Sequence, residues 1–227
     1  MVLPMVAGVL VVPDLIHRLG TDRFGVLSIS WILVGYFGLL DMGLARGLTQ
    51  YLAQQKSLGR STGECAYAAR KVRRWMLALG MLWALILLSL TPWVTHSALR
   101  MPDHLRAEAS LGWICLALSV PPLLWTASSI GVLEANSRFA AVNAVRMPMG
   151  VATFVVPWLV ALWSPHLAWV LGGLLIVRIF AAFALAALSH VHFSRPIRSI
   201  FHLRQVLAFG GWLSVSNIVG PFLSYFD

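Results

Sequence analysis

The dominant feature of the chain is a series of long apolar stretches separated by short polar segments. Seven stretches fit helices that cross the roughly 30 Å hydrocarbon core of a bilayer. The first is the least certain, because only residues 2–12 within it are free of ionisable groups. We therefore predict an all-α polytopic membrane protein with six to seven transmembrane helices, at residues 1–16, 24–40, 75–94, 111–133, 140–163, 167–188 and 206–226.

Composition supports a membrane-embedded chain and narrows its chemistry. The 227 residues are 59% hydrophobic and 11% charged, whereas a soluble domain carries about 25% charged residues. Because apolar stretches repeat along the whole chain, a soluble enzyme with one membrane anchor is excluded. Cys65 and Cys115 are too few for a disulfide framework or a zinc site. The chain has no Gly-rich phosphate loop with a following Lys-Ser/Thr, so we expect no ATP hydrolysis. Nothing in the sequence resembles an enzyme site, and we expect no metal and no cofactor.

The basic residues lie between the apolar stretches and indicate both a partner and an orientation. A net charge of +9 in that arrangement favours anionic membrane lipids over nucleic acid. Twelve Lys and Arg fall in or beside alternate loops on one face and four on the other, so the N-terminus is predicted to be cytoplasmic. Residues 53–74, the longest polar stretch, are predicted to be an extended helix end plus a surface helix.

Turn and aromatic residues locate the ends of the predicted helices. Ser164-Pro165-His166 predicts a tight hairpin on the outer face, with antiparallel helices on either side. Four tryptophans fall near predicted helix ends, where an aromatic belt forms at the membrane interfaces: Trp93, Trp113, Trp163 and Trp169. Pro121-Pro122, Pro148 and Pro157 interrupt two spans and predict kinked helices.

Three motifs, in order along the chain, carry a resemblance to a known family. The first is VPDLIHRLG at residues 12–20, followed by Phe24-Gly25 and by LDMGL at 40–44. The second is GVLEANSRF at 131–139, with Asn143 and Arg146 beyond it. The third is FGGW at 209–212, followed by Ser214, Ser216, Asn217 and Gly220-Pro221. Together they resemble the polysaccharide transporter branch of the MOP exporter superfamily, the flippases of lipid-linked oligosaccharides.

The resemblance implies an architecture and an activity. The family has two similar lobes, and this chain resembles the N-terminal lobe (residues 1–204) plus the next helix (205–227). The resemblance further implies alternating-access transport of undecaprenyl-pyrophosphate-linked O-antigen or capsule units across the bacterial inner membrane. Polysaccharide-assembly membrane proteins are further implied partners. Two alternatives stay open. One is a non-transporting fragment or half-carrier, and the other is a membrane-embedded polysaccharide enzyme, which the lack of a large outer loop or carboxylate cluster disfavours.

Three polar residues inside predicted spans are candidates for substrate binding. Arg178 lies at the centre of the sixth span, where a charge costs about 2.5–3.5 kcal/mol on insertion scales. It should therefore face a wet cavity or a partner. A cavity guanidinium can bind a pyrophosphate through paired N–H donors. An internal ion pair or snorkelling is the alternative. Arg146 and Asn143, in the fifth span, are candidates for the lipid phosphate and the sugar. The alternatives are snorkelling for Arg146 and a helix–helix hydrogen bond for Asn143.

Four further residues are candidates for ion coupling or gating. Asp14 and Asp41 lie near span ends and would relay protons or cations if they faced the bundle interior. The favoured alternative is helix capping, or pairing with Arg18 and Arg46. Glu134 and Arg138 are four residues apart, so an ion pair is expected if both lie on one helix. That pair would hold an inner gate or, as we favour, stabilise the hairpin.

Overall fold

A computed structural model describes residues 2–37, 43–59, 61–94 and 103–190, and within these ranges the chain forms eight helices and no strands. Five helical segments are long and apolar enough to cross a membrane: Leu3–Tyr36, Gly63–Ser89, Leu105–Ala135, Phe139–Trp163 and Leu167–Ser189. The predicted all-α polytopic fold is confirmed. The helices are α1 (Val2–Phe37), α2 (Leu44–Ser57), α3 (Thr62–Ser89), α4 (Thr91–Trp93), α5 (Asp103–Leu118), α6 (Val120–Ala135), α7 (Phe139–Trp163) and α8 (Leu167–His190).

Several predictions fall on other parts of the chain. The span at 206–226, the boundary between residues 204 and 205, the motif at 209–221 and Asp41 lie outside the described residues.

Helix α1 contains two of the predicted spans, joined at Gly20. Gly20 has φ 79° and ψ 163°, which is not helical. A Cβ placed on Gly8 would lie 3.5 Å from the Phe154 ring, and the ring centroids of Trp31 and Phe154 are 5.1 Å apart. In a straight helix residues 8 and 31 would be about 34 Å apart. Since both contact the same ring, the chain reverses at Gly20, and residues 2–19 and 21–37 form a helical hairpin.

Contacts between the helices define two ends of the bundle. At one end, Arg23 and His166 both contact Glu108, so the α1 turn, the start of α5 and the α7–α8 turn lie together. We call this the Gly20 end. The opposite end, which we call the Ser137 end, holds the α6–α7 turn and the last turn of α8. The first residues of α1 reach the middle of α7, where a Cβ on Gly150 would lie 2.8 Å from Pro4. The predicted alternation of loops is thus observed, while the cellular compartment of each end stays a prediction.

Helices α5 and α6 form one long segment that is broken at Ser119. Pro121 and Pro122 have no N–H, so the carbonyls of Ala117 and Leu118 lose the donors that a continuous helix would supply. The predicted interruption of the fourth span is therefore present. Helix α3 approaches closely at this point, where a Cβ on Gly80 would lie 2.8 Å from the Pro121 backbone.

The polar stretch at 53–74 differs from its prediction. It contains the end of α2, a turn, and the first three turns of α3, so the third helix begins at Thr62 rather than at Trp75. Ser61 caps α3, its hydroxyl accepting a hydrogen bond from the backbone N–H of Glu64 at 3.4 Å. The basic residues of this stretch therefore continue a membrane-spanning helix instead of forming a separate surface helix.

Two large apolar clusters hold most of the described helices together, and a smaller one joins α6, α7 and α8 around Leu133, Val142 and Leu185. One joins α2, α3, α5 and α6 around residues such as Leu48, Val72, Met76 and Leu124. The other joins both arms of α1 to α5, α7 and α8 around Leu27 and its neighbours. Other large apolar side chains point outward, as expected for helices that face lipid or another lobe: Leu10, Met81, Leu85, Phe180 and Phe183 among them.

The tryptophans only partly follow the predicted belt. Trp93, Trp163 and Trp169 are exposed at helix ends. Trp113 is instead half-buried, and its indole N–H donates a hydrogen bond to the Leu87 carbonyl at 2.8 Å. Trp113 thus joins α5 to α3.

The Gly20 turn gives a first testable prediction. Its φ and ψ lie in a region open almost exclusively to glycine, at a cost of about 1–3 kcal/mol for other residues. We expect Gly20→Ala to lower the free energy of unfolding by about that amount, measured by thermal unfolding in detergent. The control is Gly25→Ala, which has open space around it and should be neutral or slightly stabilising. Equal effects of both substitutions would contradict the reversal.

Candidate functional site

Arg178 is a buried cation at the middle of α8, one of the candidate membrane-spanning helices. It lies eleven residues after Leu167 and twelve before His190, and it is 6% exposed. Its Nη1 donates a hydrogen bond of 2.7 Å to the Ser119 hydroxyl, which itself donates at 2.6 Å to the Leu116 carbonyl. Within the described residues no carboxylate pairs with it. Arg178 therefore lies between helices, against an internal partner, and not in an open cavity.

The position of Arg178 has an electrostatic rationale. Its guanidinium reaches the break between α5 and α6, where the carbonyls of Ala117 and Leu118 lack helical donors. The C-terminal end of a helix carries a partial negative charge. The break thus places partial negative charge, from carbonyls without helical donors, near the buried guanidinium. A continuous helix would not do so. Sequence reasoning identified Arg178 from its depth but did not identify Ser119 as its partner.

Asn143 and Arg146 lie on an exposed part of α7. Both side chains are exposed. The helical turns of α7 that carry them also form one wall of a groove between α7 and α8. The groove encloses about 330 Å³, and apart from backbone its lining is apolar: Ala144, Val145, Pro148, Met149, Ala152, Val177, Phe180, Ala181 and Ala184. Arg178 does not line it. An exposed cation and an amide thus lie beside an apolar groove near the Ser137 end.

Asp14 has two partners. Its Oδ2 accepts hydrogen bonds from Nε of Arg18 and from the indole N–H of Trp158, both at 2.7 Å. The predicted pairing with Arg18 is confirmed. The bond to Trp158 also joins the first arm of α1 to α7, which the sequence did not indicate.

Glu134 and Arg138 do not form the ion pair expected for one helix. Helix α6 ends at Ala135, Ser137 has φ 57°, and Arg138 precedes α7 as its N-cap. The break removes the i, i+4 geometry, and the described contacts contain no bond between the two side chains. The hairpin is stabilised by backbone hydrogen bonds instead, from Ser137 N–H to the Glu134 carbonyl at 2.8 Å and from Arg138 N–H to the Leu133 carbonyl at 2.9 Å.

Glu108, which the sequence did not single out, is the centre of a polar cluster at the Gly20 end. Arg23 donates two hydrogen bonds to its carboxylate, each 3.0 Å long. The His166 ring nitrogen lies 2.8 Å from the same carboxylate, and the Leu167 backbone N–H donates to it at 3.4 Å. One carboxylate thus joins α1, α5 and the α7–α8 turn. Since Arg23 and Glu108 are 85 residues apart, no sequence spacing indicates their contact.

The fold and these contacts define a multi-pass α-helical membrane protein with few intramembrane polar groups. In sequence the chain is similar to a Shigella flexneri protein named "Putative O-antigen transporter", with 24% identity over 220 residues. The aligned region covers 94% of this chain and 50% of that protein. The chain therefore spans about half the length of this relative. No family model matches the chain, and no solved structure does. The similarity supports a relationship to polysaccharide transporters.

The contact between Arg178 and Ser119 gives a second prediction. Hydrogen bonds to charged groups contribute about 1.5–3 kcal/mol, and an unpaired buried donor is costly. We expect Arg178→Ala and Ser119→Ala each to lower the free energy of unfolding in detergent. The control is Ser30→Ala, because Ser30 is buried but donates only to the Val26 carbonyl of its own helix. A melting temperature unchanged in Arg178→Ala would show that Arg178 does not stabilise the fold.

The Glu108 cluster gives a third prediction. Glu108→Gln removes the negative charge of the carboxylate that contacts Arg23 and His166. It therefore weakens the two hydrogen bonds that Arg23 donates to this side chain. We expect it to lower the free energy of unfolding by about 1–3 kcal/mol. Glu134→Gln is the matched control, as Glu134 makes no side-chain bond within the described residues. Equal melting temperatures for the two variants would contradict the structural importance of the cluster.

Proposed function

We propose that this chain is one lobe of a carrier that moves lipid-linked oligosaccharide, such as O-antigen or capsule repeat units, across the bacterial inner membrane. The observation that carries the proposal is the sequence similarity, over 94% of the chain, to a protein named as an O-antigen transporter. The five apolar helical segments fit that role. The activity belongs to the complete carrier, because the chain spans half of the relative's length. The protein acts as a transporter and not as an enzyme.

The groove between α7 and α8 supports a binding mode for such a substrate. A lipid-linked oligosaccharide combines a long apolar chain, a pyrophosphate and a polar glycan. The groove offers about 330 Å³ of apolar lining, and exposed Arg146 lies beside it. We propose that the polyprenyl chain contacts the groove while Arg146 binds the pyrophosphate through its paired N–H donors. Asn143, one helical turn away, is placed to bond the glycan.

Arg178 has a different place in this proposal. It is buried against Ser119, so direct contact with a pyrophosphate requires a state in which α8 separates from the α5–α6 break. Carriers that work by alternating access change helix contacts between their states. We propose that Arg178 binds substrate only in such a state and stabilises the closed bundle otherwise.

The remaining candidates are proposed to act at the two ends. At the Ser137 end, Glu134 and Arg138 border the α6–α7 turn and belong to the inner gate. Asp41, which lies outside the described residues, is assigned to the gate from its position at the end of the second predicted span. Asp14, bound by Arg18 and Trp158, would couple transport to protons or cations by releasing one of these partners. The N-terminus and the Ser137 end are proposed to be cytoplasmic, since the Lys and Arg excess lies on that side.

Deletion of the natural reading frame that contains this chain tests the proposed function. We expect loss of surface polysaccharide and accumulation of lipid-linked oligosaccharide on the cytoplasmic leaflet. Restoring the frame on a plasmid should reverse both. The readouts are a polysaccharide gel and mass spectrometry of extracted lipids. Normal surface polysaccharide with no accumulated intermediate would contradict the proposal.

Arg146 tests the proposed binding mode in the same complementation assay. We expect Arg146→Ala to reduce export at least tenfold with unchanged abundance in the membrane, because a charge-assisted bidentate contact is lost. Arg146→Lys, which keeps the charge, should retain part of the activity. The control is Arg46→Gln, which removes an exposed charge from α2, outside the groove. Export at the wild-type level from Arg146→Ala would exclude the residue from the binding site.

A further inference from the structure

A cluster of arginines lies on one face of α3 near the Ser137 end. Arg70, Arg73 and Arg74 are spaced i, i+3 and i+4, so their side chains are neighbours on the helix surface. Arg73 is half-buried and experiences the like charges of the other two. Neither Arg70 nor Arg73 forms an ion pair within the described residues. This concentration of positive charge lacks a protein counter-charge there.

The arginine cluster lies at one end of a long apolar stretch. Residues 75–94 run through α3 and α4 and extend about 29 Å at 1.5 Å per residue, which matches the thickness of the hydrocarbon core. The cluster directly precedes this stretch. Trp75, next in the chain, is 52% exposed, as is typical of tryptophan at a membrane interface.

A narrow cleft lies beside the arginines. Arg70 and Arg73 line it together with small residues of three helices: Ala66 and Ala69 of α3, Ser128, Ser129 and Val132 of α6, and Ser189 of α8. Its free volume is about 10 Å³, roughly the space of one water molecule. The three serine hydroxyls donate to carbonyls of their own helices, so each can accept a further hydrogen bond. One water in the cleft can therefore bridge an arginine N–H to a serine hydroxyl and leave the other N–H donors directed outward.

The exposed face of α3 indicates what kind of ligand reaches the arginines. After Arg74, the exposed apolar residues Ala78, Met81 and Leu85 continue on the side of the helix that carries Arg70 and Arg74. A free anion would make no use of this stripe. A phospholipid would place an acyl chain along it with its phosphate at the arginines.

We propose that Arg70 and Arg73, with Arg74 beside them, form a discrete site for the phosphate of an anionic membrane phospholipid. The guanidinium groups supply bidentate donors to the phosphate oxygens, the cleft orients the guanidinium groups, and the apolar stripe of α3 contacts an acyl chain. The bound lipid supplies the counter-charge that the described protein does not. This site is separate from the groove between α7 and α8 and does not depend on the proposed function.

Lipid titration of the purified full-length protein tests this site. The probe is phosphatidylglycerol added to protein in a neutral detergent, with bound lipid counted by native mass spectrometry. Each Lys or Arg contributes about 1 kcal/mol near an anionic surface, so Arg70→Gln/Arg73→Gln should weaken binding about 30-fold. The matched control is Arg46→Gln/Lys56→Gln, which removes the same net charge from exposed positions of α2 and should change the affinity less than threefold.

Two competing ligands and a charge-conserving variant distinguish a specific lipid site from diffuse surface charge. Phosphatidylcholine should bind far more weakly than phosphatidylglycerol, and inorganic phosphate at equal concentration should not displace the bound lipid. Equal weakening by both double variants would show diffuse surface charge and overturn the proposal. Equal binding of the two lipids, or displacement of the lipid by phosphate, would overturn it as well.

If the Gln variant fails to fold, Arg70→Lys/Arg73→Lys keeps the charge but loses the bidentate donors. Its affinity should fall several-fold, and an unchanged affinity would overturn the site.

Discussion

The rest of this structure depends on the absence of water across the hydrocarbon core of the membrane. Every polar group at that depth must find its partner within the protein. Most of the serine and threonine hydroxyls inside the described spans meet this requirement locally, by donating to carbonyls three or four residues earlier, as Ser28 and Thr153 do. Arg178 cannot be satisfied within its own turn, and it reaches the Ser119 hydroxyl at the break between α5 and α6. The proline pair that breaks this segment and the buried cation beside it are thus physically related.

The two ends of the bundle show different electrostatics. At the Gly20 end Glu108 gathers Arg23, His166 and the Leu167 backbone N–H, so charges are paired within the protein. At the Ser137 end the arginines at the start of α3 have no carboxylate partner within the described residues. Such asymmetry suits a protein whose basic end faces anionic lipids. At the Gly20 end, the paired charges instead join α1, α5 and the α7–α8 turn through contacts within the protein.

Polar residues of α7 also divide into two kinds. Trp158, near the Gly20 end, uses its indole N–H to join α7 to Asp14 of α1. Asn143 and Arg146, near the Ser137 end, have exposed side chains beside an apolar groove. The polar residue near the Gly20 end thus serves the fold, and the exposed polar residues near the Ser137 end are available for a ligand or for another lobe.

The sequence by itself determined the class of the protein, since apolar stretches of about 20 residues have one stable environment. For four of the described spans, most of the predicted ends lie within a few residues of the observed ends. The sequence also indicated the α7–α8 turn, the pairing of Asp14 with Arg18 and the unusual depth of Arg178. These properties depend on neighbours in the chain. The start of α3 was misplaced, because seven basic or acidic residues from Lys56 to Arg74 resemble a surface segment although they continue a helix.

Only the tertiary structure decided which distant groups meet. It placed Ser119 against Arg178, Glu108 against Arg23, Trp158 against Asp14 and the arginines of α3 beside the serines of α6 and α8. It also showed that Glu134 and Arg138 do not pair, because a single residue with positive φ separates their helices. The physical reason is that side-chain contacts across a bundle depend on helix packing and on the exact point where each helix ends or bends. Neither hydropathy nor residue spacing contains that information.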